Sequence, residues 1–298
     1  MITRRGWIVS TLSSVGGGAI SGRFATALSA NFGLPSFEKQ LVDLEKASGG
    51  RLGVALLDTA TGAQAGHRRD ERFPMCSTFK LLAVGAVLAR ADQRKEQMDR
   101  VVRFTRKEIV TYSPATETRV GDAGMSITEL CAAAITLSDN TAGNLLLASI
   151  GGPSGLTAFA RTLGDDMTRL DRIEPDLNET LAGDSRDTST PAAMWSNLRA
   201  LVLGSTLSPS SRAQLTEWLI QNKTGKKGLR AGLPAGWKVG DKTGSGARGT
   251  TNDLAIVWPP QHAPMLVSVY LTGATVDEDQ RNLTVAAVGK EIPAALRR

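Results

Sequence analysis

The first side chains whose types and spacing could perform chemistry are Ser77 and Lys80. Apolar residues after them recur at steps of three and four, which predicts a helix that begins near Ser77. Residues three apart on a helix share a face, with Cβ atoms about 5–6 Å apart. A serine hydroxyl needs a base to take its proton, and a lysine amine in a desolvated pocket could do so. Because Ser36 and Lys39 show the same spacing, the pair taken alone favours a helix cap beside a solvated lysine.

Four further polar groups follow, and each has an ordinary structural interpretation by itself. Ser138 to Asn140 could form a helix C-cap and turn, and Glu174 to Asn178 could form an acidic loop. Lys223 to Gly225 follows a predicted helix and is typical of a solvated C-cap turn. Lys242 to Gly244 ends a predicted strand, where glycine allows a ligand or another backbone to approach closely.

The sequence also excludes some chemistries. Gly244 to Gly249 formally matches Gly-x-Gly-x-x-Gly, but a strand follows instead of the helix that dinucleotide binding requires, so we predict a hairpin. The two histidines, His67 and His262, stand apart from any cysteine or carboxylate cluster, so we expect no metal and no cofactor. No Gly-x-Ser-x-Gly elbow is present to display the serine of a Ser-His-Asp triad.

Charge and hydropathy limit the partners. The net charge is +6, but residues 1–30 carry Arg4, Arg5, Arg23 and no acid, which leaves 32 − 29 = +3 for the rest. No basic stripe with interleaved aromatics occurs, so nucleic acid is not an expected partner. Residues 1–30 are typical of an export signal, and the start resembles a twin-arginine signal, although an ordinary secretory signal is also basic at its start. No later apolar run is long enough for stable membrane insertion.

Cys76 and Cys131 are the two cysteines of the chain. An exported protein could pair them. Both lie in predicted apolar helical surroundings, where a free cysteine packs as a small hydrophobic residue, so we expect free thiols.

Predicted strands occur at both ends of the chain, and predicted helices lie between them. The expected fold class is therefore α/β (α+β): an antiparallel sheet domain built from both chain ends, flanked by helices, with an inserted all-helical domain. The expected domains are 31–68 plus 223–298 for the sheet and 69–222 for the helices, with a long active-site loop at 164–190. The predicted elements include a helix at 37–46, strands at 51–58, 237–242, 253–258 and 265–272, a last helix at 277–296, and loop-rich chain at 91–124.

Taken together, these motifs resemble the class A β-lactamases in order and spacing, from Phe37 to the C-terminus. The resemblance rests on Ser77-Thr78-Phe79-Lys80, Ser138-Asp139-Asn140, Glu174-Pro175-Asp176-Leu177-Asn178 and Lys242-Thr243-Gly244. It implies the fold given above, with the site between sheet and helices. It also implies hydrolysis of the β-lactam amide of penicillins and cephalosporins through a serine acyl-enzyme, which gives antibiotic resistance.

The resemblance further implies a role for each residue. Ser77 would be the nucleophile, Ser138 would pass a proton to the lactam nitrogen, and either Lys80 or Glu174 would be the base in acylation. The backbone N–H groups of Ser77 and Ser245 would form the oxyanion hole. Glu174 and Asn178 would hold the hydrolytic water, and Asn140 would bind the amide side chain of the substrate. Tyr112 would form an aromatic wall, and the substrate carboxylate would face Lys242, Thr243 and Ser245. Arg172 and Asp187 would tie the ends of the loop together.

One departure from the family concerns the substrate carboxylate. Many members carry an arginine after Lys-Thr-Gly or shortly before it, and the matching positions here are Thr251 and Gly228. Another cation would have to serve, and Arg230, Arg248 and Arg281 are the candidates.

Two related activities are alternatives. A D-alanyl-D-alanine peptidase has the same Ser-Lys, Ser-x-Asn and Lys-Thr-Gly groups but no deacylating carboxylate for β-lactams, and Glu174 with Asn178 speaks against it. A penicillin-sensing domain would normally need a membrane tether, which does not follow the signal. The expected protein is a periplasmic or secreted monomer whose partner is a small-molecule β-lactam.

Overall fold

In the computed structural model, which describes residues 34–295, strands from both ends of the chain form one antiparallel sheet. The helices are α1 (Leu34–Ser48), α2 (Phe79–Asp92), α3 (Ile127–Thr136), α4 (Asn140–Ser149), α5 (Gly152–Thr162), α6 (Pro191–Val202), α7 (Pro209–Ile220), α8 (Leu229–Gly232) and α9 (Glu278–Ala295). The strands are β1 (Arg51–Asp58), β2 (Gln64–His67), β3 (Phe73–Pro74), β4 (Val101–Phe104), β5 (Gly121–Ser126), β6 (Thr188–Ser189), β7 (Lys238–Gly246), β8 (Thr250–Trp258) and β9 (Met265–Thr272). The predicted export signal lies outside the described residues.

The main sheet has the order β2-β1-β9-β8-β7. β1 pairs with β9 along its whole length, from Arg51 opposite Thr272 to Asp58 opposite Met265. This pairing joins the beginning of the folded chain to its end, as predicted. β7 and β8 form the predicted hairpin, whose last pair is Gly246 opposite Thr250.

Both faces of this sheet are covered. Alternate residues of β1 take part in two separate hydrophobic clusters: Leu52 and Val54 pack with residues of α1 and α9, while Ala55 and Leu57 pack with residues of α2 and α6. Because successive side chains of a strand point to opposite faces, one strand supplies both cores. Within residues 34–295, no helix is long and apolar enough to cross a bilayer.

The central helix is more buried than its sequence pattern predicts. The periodicity indicates one apolar face, but α2 is buried continuously from Phe79 to Ala89. A helix that is apolar on all sides belongs in a protein interior. Neighbouring helices and the sheet surround α2, which makes it a rigid support for the residues at its start.

Helix starts agree well with the predicted capping signals. The Ser126 hydroxyl accepts from the Glu129 backbone N–H, and the Ser126 backbone N–H donates to the Glu129 carboxylate, which is a capping box. Thr190 and Ser208 cap α6 and α7, and each is followed by proline at the first helical position.

Several boundaries differ from the predictions. The stretch 91–124 contains β4 and the first part of β5, and the pattern missed this pair because β4 is mostly exposed and lacks apolar alternation. β7 continues through Gly244 to Gly246 instead of ending at Lys242. Residues 34–295 form one compact unit, and the predicted division into 31–68 plus 223–298 and 69–222 stays a prediction.

Gly53 gives a test of how tightly the sheet packs. A Cβ at this position would lie 2.4 Å from Phe73 Cε2 and 2.8 Å from Pro191 Cγ, and neither ring can move away easily. We expect Gly53→Ala to lower the free energy of unfolding by about 1–3 kcal/mol in chemical denaturation. The same change should cost less in a Phe73→Leu background. A Gly53→Ala protein as stable as the native one would contradict this description of the packing.

Candidate active site

Ser77 lies in a short 3-10 turn, Cys76–Thr78, that leads directly into α2. The predicted start of the α-helix at Ser77 is therefore two residues early, since α2 begins at Phe79. Cys76 has a φ of +46°, an uncommon conformation for a residue with a side chain. Such strain persists only where the surroundings hold it, and here the turn presents the Ser77 hydroxyl to a cavity.

Lys80 is fully buried directly beside Ser77. Its Nζ donates hydrogen bonds to Ser77 Oγ at 2.8 Å, to the Ser138 carbonyl at 2.8 Å and to Asn140 Oδ1 at 2.6 Å. Burial lowers the pKa of Lys80, and the nearby Glu174 carboxylate acts in the opposite direction. The site thus holds a lysine amine whose proton is easier to remove than that of an exposed lysine.

Glu174 reaches the same serine from the long loop. Its Oε1 lies 3.0 Å from Lys80 Nζ and accepts from Ser77 Oγ at 3.1 Å, while Asn178 Nδ2 donates to Oε2. The Glu174–Pro175 peptide bond is cis. The loop thus places the Glu174 carboxylate, with Asn178 bonded to it, next to Ser77.

Asn144 is a residue of this site that the sequence reasoning missed. Its side chain accepts from the Glu174 N–H and donates to the Glu174 carbonyl, both at 2.9 Å. It therefore holds the backbone on which the carboxylate is mounted. The signal was available, because Asn144 lies four residues after Asn140 and so shares a face of α4 with it.

Ser138 and Lys242 meet on the other side of the cavity. Lys242 Nζ donates to Ser138 Oγ at 2.9 Å and to the Thr243 carbonyl at 2.8 Å. Burial, and after it the positive charge of Lys80, lowers the pKa of Lys242 to about 7. A helix C-cap was one interpretation of Ser138 to Asn140 taken alone, but the Asp139 side chain accepts from the Ala142 N–H and caps the start of α4.

A cavity of about 720 Å³ lies beside these groups, and Lys80, Glu174 and Lys242 are buried behind its lining. The predicted site residues that line it are Ser77, Tyr112, Ser138, Asn140, Asn178, Thr243 and Ser245. Tyr112 is 59% exposed, consistent with a wall at the mouth. This volume is in the range of sites that bind small organic ligands.

Thr224 also lines the cavity, so the interpretation of Lys223 to Gly225 as a solvated turn is wrong. The Thr224 and Thr243 hydroxyl oxygens lie 2.5 Å apart. Gly225 is buried, and a Cβ at this position would overlap Asp241 Oδ2. The C-cap of α7 is Gln221, and nothing in the sequence of Lys223 to Gly225 indicated that this turn packs against β7.

The three arginines considered for the substrate carboxylate have different surroundings. Arg230 binds the buried Asp241 carboxylate at 2.7 Å, and Arg248 lies in the β7–β8 turn outside the cavity lining. Arg281 Nε donates to Thr251 Oγ1 at 3.2 Å, and Thr251 lines the cavity. Of the three, only Arg281 has a side-chain hydrogen bond to a residue of the lining within residues 34–295.

Arg172 and Asp187 are joined in the structure. Asp187 is 1% exposed, and its carboxylate accepts from Arg172 Nε at 2.6 Å and from the backbone N–H groups of Asp171 and Arg172. This ion pair connects the two ends of the loop that carries Glu174.

Cys76 and Cys131 are both free and buried, and burial raises the pKa of each thiol. Residues 34–295 contain no cluster of three or more potential metal ligands of the His, Cys, Asp and Glu types.

A serine, a buried lysine and a carboxylate in mutual contact beside a ligand-sized cavity define a serine hydrolase that works through an acyl-enzyme. The model of the β-lactamase enzyme family matches residues 36–296. β-Lactamase OXY-2 of Klebsiella oxytoca is 48% identical over 261 residues, covering 88% of this chain and 90% of that protein. β-Lactamase AST-1 of Nocardia asteroides is 50% identical, covering 87% and 83%. An ancestral class A β-lactamase structure (GNCA) superimposes with a TM-score of 0.86 at 61% identity, covering 87% of this chain and all of that one.

The chain therefore belongs to the β-lactamase family, as a member of class A. This confirms the predicted family, fold class and enzymatic activity, the hydrolysis of β-lactams.

Asp187 gives a test of the loop connection. In Asp187→Ala, Arg172 and two backbone N–H groups lose a buried acceptor, and we expect the free energy of unfolding to fall by about 3 kcal/mol. Penicillin should still acylate Ser77, but release of product should slow. Asp184→Ala is the matched control, since its partner Arg186 is at the surface. Equal stability of the two variants would argue against a structural role for Asp187.

Proposed function

We propose that Ser77 attacks the carbonyl carbon of the β-lactam ring and that Glu174 then directs water onto the resulting ester. One observation carries this proposal: Ser77 Oγ lies within hydrogen-bond distance of both Lys80 Nζ, at 2.8 Å, and Glu174 Oε1, at 3.1 Å. The Glu174 carboxylate can accept the hydroxyl proton as the new C–O bond forms, and Lys80 can do so instead once its amine is neutral, which its lowered pKa favours. The oxygen of the tetrahedral intermediate is stabilised by the backbone N–H groups of Ser77 and Ser245, each worth about 2.7–4 kcal/mol in a site of this kind.

Cleavage of the ring C–N bond requires a proton on the departing nitrogen. Ser138 Oγ supplies it, because this hydroxyl lies in the cavity and accepts a hydrogen bond from Lys242 Nζ. The Ser138 carbonyl also accepts from Lys80 Nζ, so a single residue contacts both lysines. Ser138 Oγ regains a proton from Lys242 Nζ, its hydrogen-bond donor, while the proton from Ser77 stays on the base that accepted it.

Deacylation uses Glu174 and Asn178. Glu174 is 1% exposed and removes a proton from water as the water attacks the ester, a contribution of about 10²–10⁴-fold for a well-placed base. The ester C–O bond to Ser77 then breaks, and the proton held by Glu174 passes to Ser77 Oγ. Asn178 Nδ2 donates to Glu174, while its Oδ1 is buried and accepts no hydrogen bond from the described residues. This oxygen is therefore free to accept a hydrogen bond from the same water.

Substrate recognition involves both walls of the cavity. Asn140 binds the amide side chain, and Tyr112 forms an apolar wall at the mouth. Lys242, Thr243 and Ser245 bind the ring carboxylate. Arg281 supports them through Thr251, which gives the chain a cation near the position where many relatives carry an arginine.

The two alternative functions lack support in this geometry. A peptidase or a penicillin sensor keeps its acyl-enzyme when it meets a β-lactam, whereas here a carboxylate contacts the nucleophile itself. We further propose that residues 1–30 direct export to the periplasm or medium and that the mature enzyme acts as a monomer.

Glu174→Ala separates the two chemical steps. We expect this variant to acylate with a penicillin and then to release product at least about 10²-fold more slowly than the native enzyme, since the base for water is gone. The trace should show a burst of one equivalent followed by a nearly flat phase, and mass spectrometry should find the adduct on the Ser77 peptide. Ser77→Ala is the control and should form no adduct. Native-like turnover by Glu174→Ala would overturn the proposed deacylation.

Lys242 predicts a pH dependence of substrate binding. Above its pKa of about 7 the free enzyme loses the Lys242 charge, so the affinity for the substrate carboxylate should fall as pH rises. If only the charged form binds, the dissociation constant rises up to about 30-fold between pH 6 and 8.5. Single-turnover acylation measured against penicillin concentration gives this constant. In Lys242→Arg, whose guanidinium stays charged, the profile should flatten. A constant affinity in the native enzyme would contradict the assignment.

A further inference from the structure

A second cavity, of about 740 Å³, lies behind the active-site loop. Its walls are residues 180–185 of that loop, the start of β1, the end of β9 and the β7–β8 turn. It shares no lining residue with the catalytic cavity. We call it the rear cavity, and none of the residues proposed to act in hydrolysis lines it.

The acidic side chains in the lining of the rear cavity already have cationic partners. Asp184 accepts from Arg186 at 2.7 Å, and Glu71 accepts from Arg51 at 2.7 Å and from Arg68 at 2.9 Å. Their negative charges are therefore balanced before any ligand is considered.

Two arginines in the lining have no carboxylate partner among the described residues. Within the described part of the chain, Arg72 donates to the Met167 carbonyl at 2.6 Å and the Thr188 hydroxyl at 3.1 Å alone, and neither acceptor is charged. The Arg248 side chain makes no hydrogen bond and no ion pair with any residue of 34–295. Arg248 also has a φ of +52°, where glycine or asparagine would be less strained. The lining thus presents two positive charges that no carboxylate of the described chain neutralises.

Glycine keeps the cavity open. Gly183 and Gly273 line it, with φ of +78° and +68°, and a Cβ at either position would meet nothing within 4 Å. Their backbones can therefore come close to a bound molecule. We propose that the rear cavity binds a small dianionic oxyanion, such as inorganic phosphate or a dicarboxylate, through Arg72 and Arg248. Guanidinium groups suit both ligands because each can donate two parallel N–H bonds to paired oxygens.

The bound anion would brace the loop that carries the deacylation residues. The Thr180 hydroxyl donates to the Ala247 carbonyl at 2.7 Å, and the Ala247 N–H donates to the Asn178 carbonyl at 2.9 Å. The turn that holds Arg248 is therefore already bonded to the loop next to Asn178. An anion bound by both Arg248 and Arg72 would therefore connect this part of the loop to the chain just before β3.

The first experiment measures thermal unfolding with sodium phosphate or sodium succinate, against sodium chloride at equal ionic strength. At ten times its Kd, either anion should raise the native Tm by about 3–6 °C. Arg248→Gln should lose the shift, and Arg72→Gln should lose it independently. Arg94→Gln is the matched control, because Arg94 is also exposed, has a φ of +59° and lacks a side-chain partner among residues 34–295. It should keep the full shift.

The second experiment excludes binding at the catalytic cavity, whose lysines could also attract anions. Glu174→Ala acylated with penicillin has that cavity occupied, so the shift in Tm should persist, and amide exchange over 180–185 should slow when the anion is added. A shift that survives Arg248→Gln, or disappears on acylation, would overturn the proposal, and so would chloride acting as well as the dianions. Failure of Glu174→Ala to hold an adduct would instead count against the proposed deacylation and leave the arginine test intact.

Discussion

The buried contact between Lys80 and Glu174 is the interaction on which the rest of the site depends. Both side chains are fully withdrawn from solvent, and their charged atoms lie 3.0 Å apart. Removing two charges from water costs several kcal/mol per ion, which their attraction offsets only when further hydrogen bonds satisfy them. Lys80 Nζ obtains these from Ser77, Ser138 and Asn140, and Glu174 obtains them from Ser77 and Asn178. The start of α2, the start of α4 and the long loop are thereby held around one ammonium group.

This arrangement constrains the packing nearby. Gly143 on α4 lies against the Lys80 side chain, and a Cβ there would stand 2.8 Å from Lys80 Cε. A larger residue would displace the amine from its acceptors, while the side chain of Asn144, one position later, holds the Glu174 backbone. α4 therefore positions both members of the ion pair. Gly143 leaves room for the Lys80 side chain, and the Asn144 amide holds the backbone of Glu174.

The sequence predicted the parts of the molecule that local patterns determine. The Ser126 capping box, the proline-marked helix starts and the strands of the main sheet all depend on short-range signals, and the structure confirms them. The positions of Ser77, Lys80, Glu174 and Lys242 in one site followed from resemblance to a family, since nothing local indicates that chain segments 97 residues apart will meet. Thr224 shows the limit most clearly. Its turn has an ordinary C-cap pattern, and only the packing of that turn against β7 brings its hydroxyl to Thr243.

The electrostatics of the site explain why an anionic substrate suits it. Lys80 and Lys242 are both buried and both bonded to Ser138, but only Lys80 has a carboxylate in direct contact. Burial and the charge of Lys80 therefore lower the pKa of Lys242 to about 7, and its charge is only partly retained in the free enzyme. A substrate carboxylate placed beside Lys242 would supply the missing negative charge and restore the proton. Binding would then strengthen the positive field next to Ser138, at the point where the departing lactam nitrogen must be protonated.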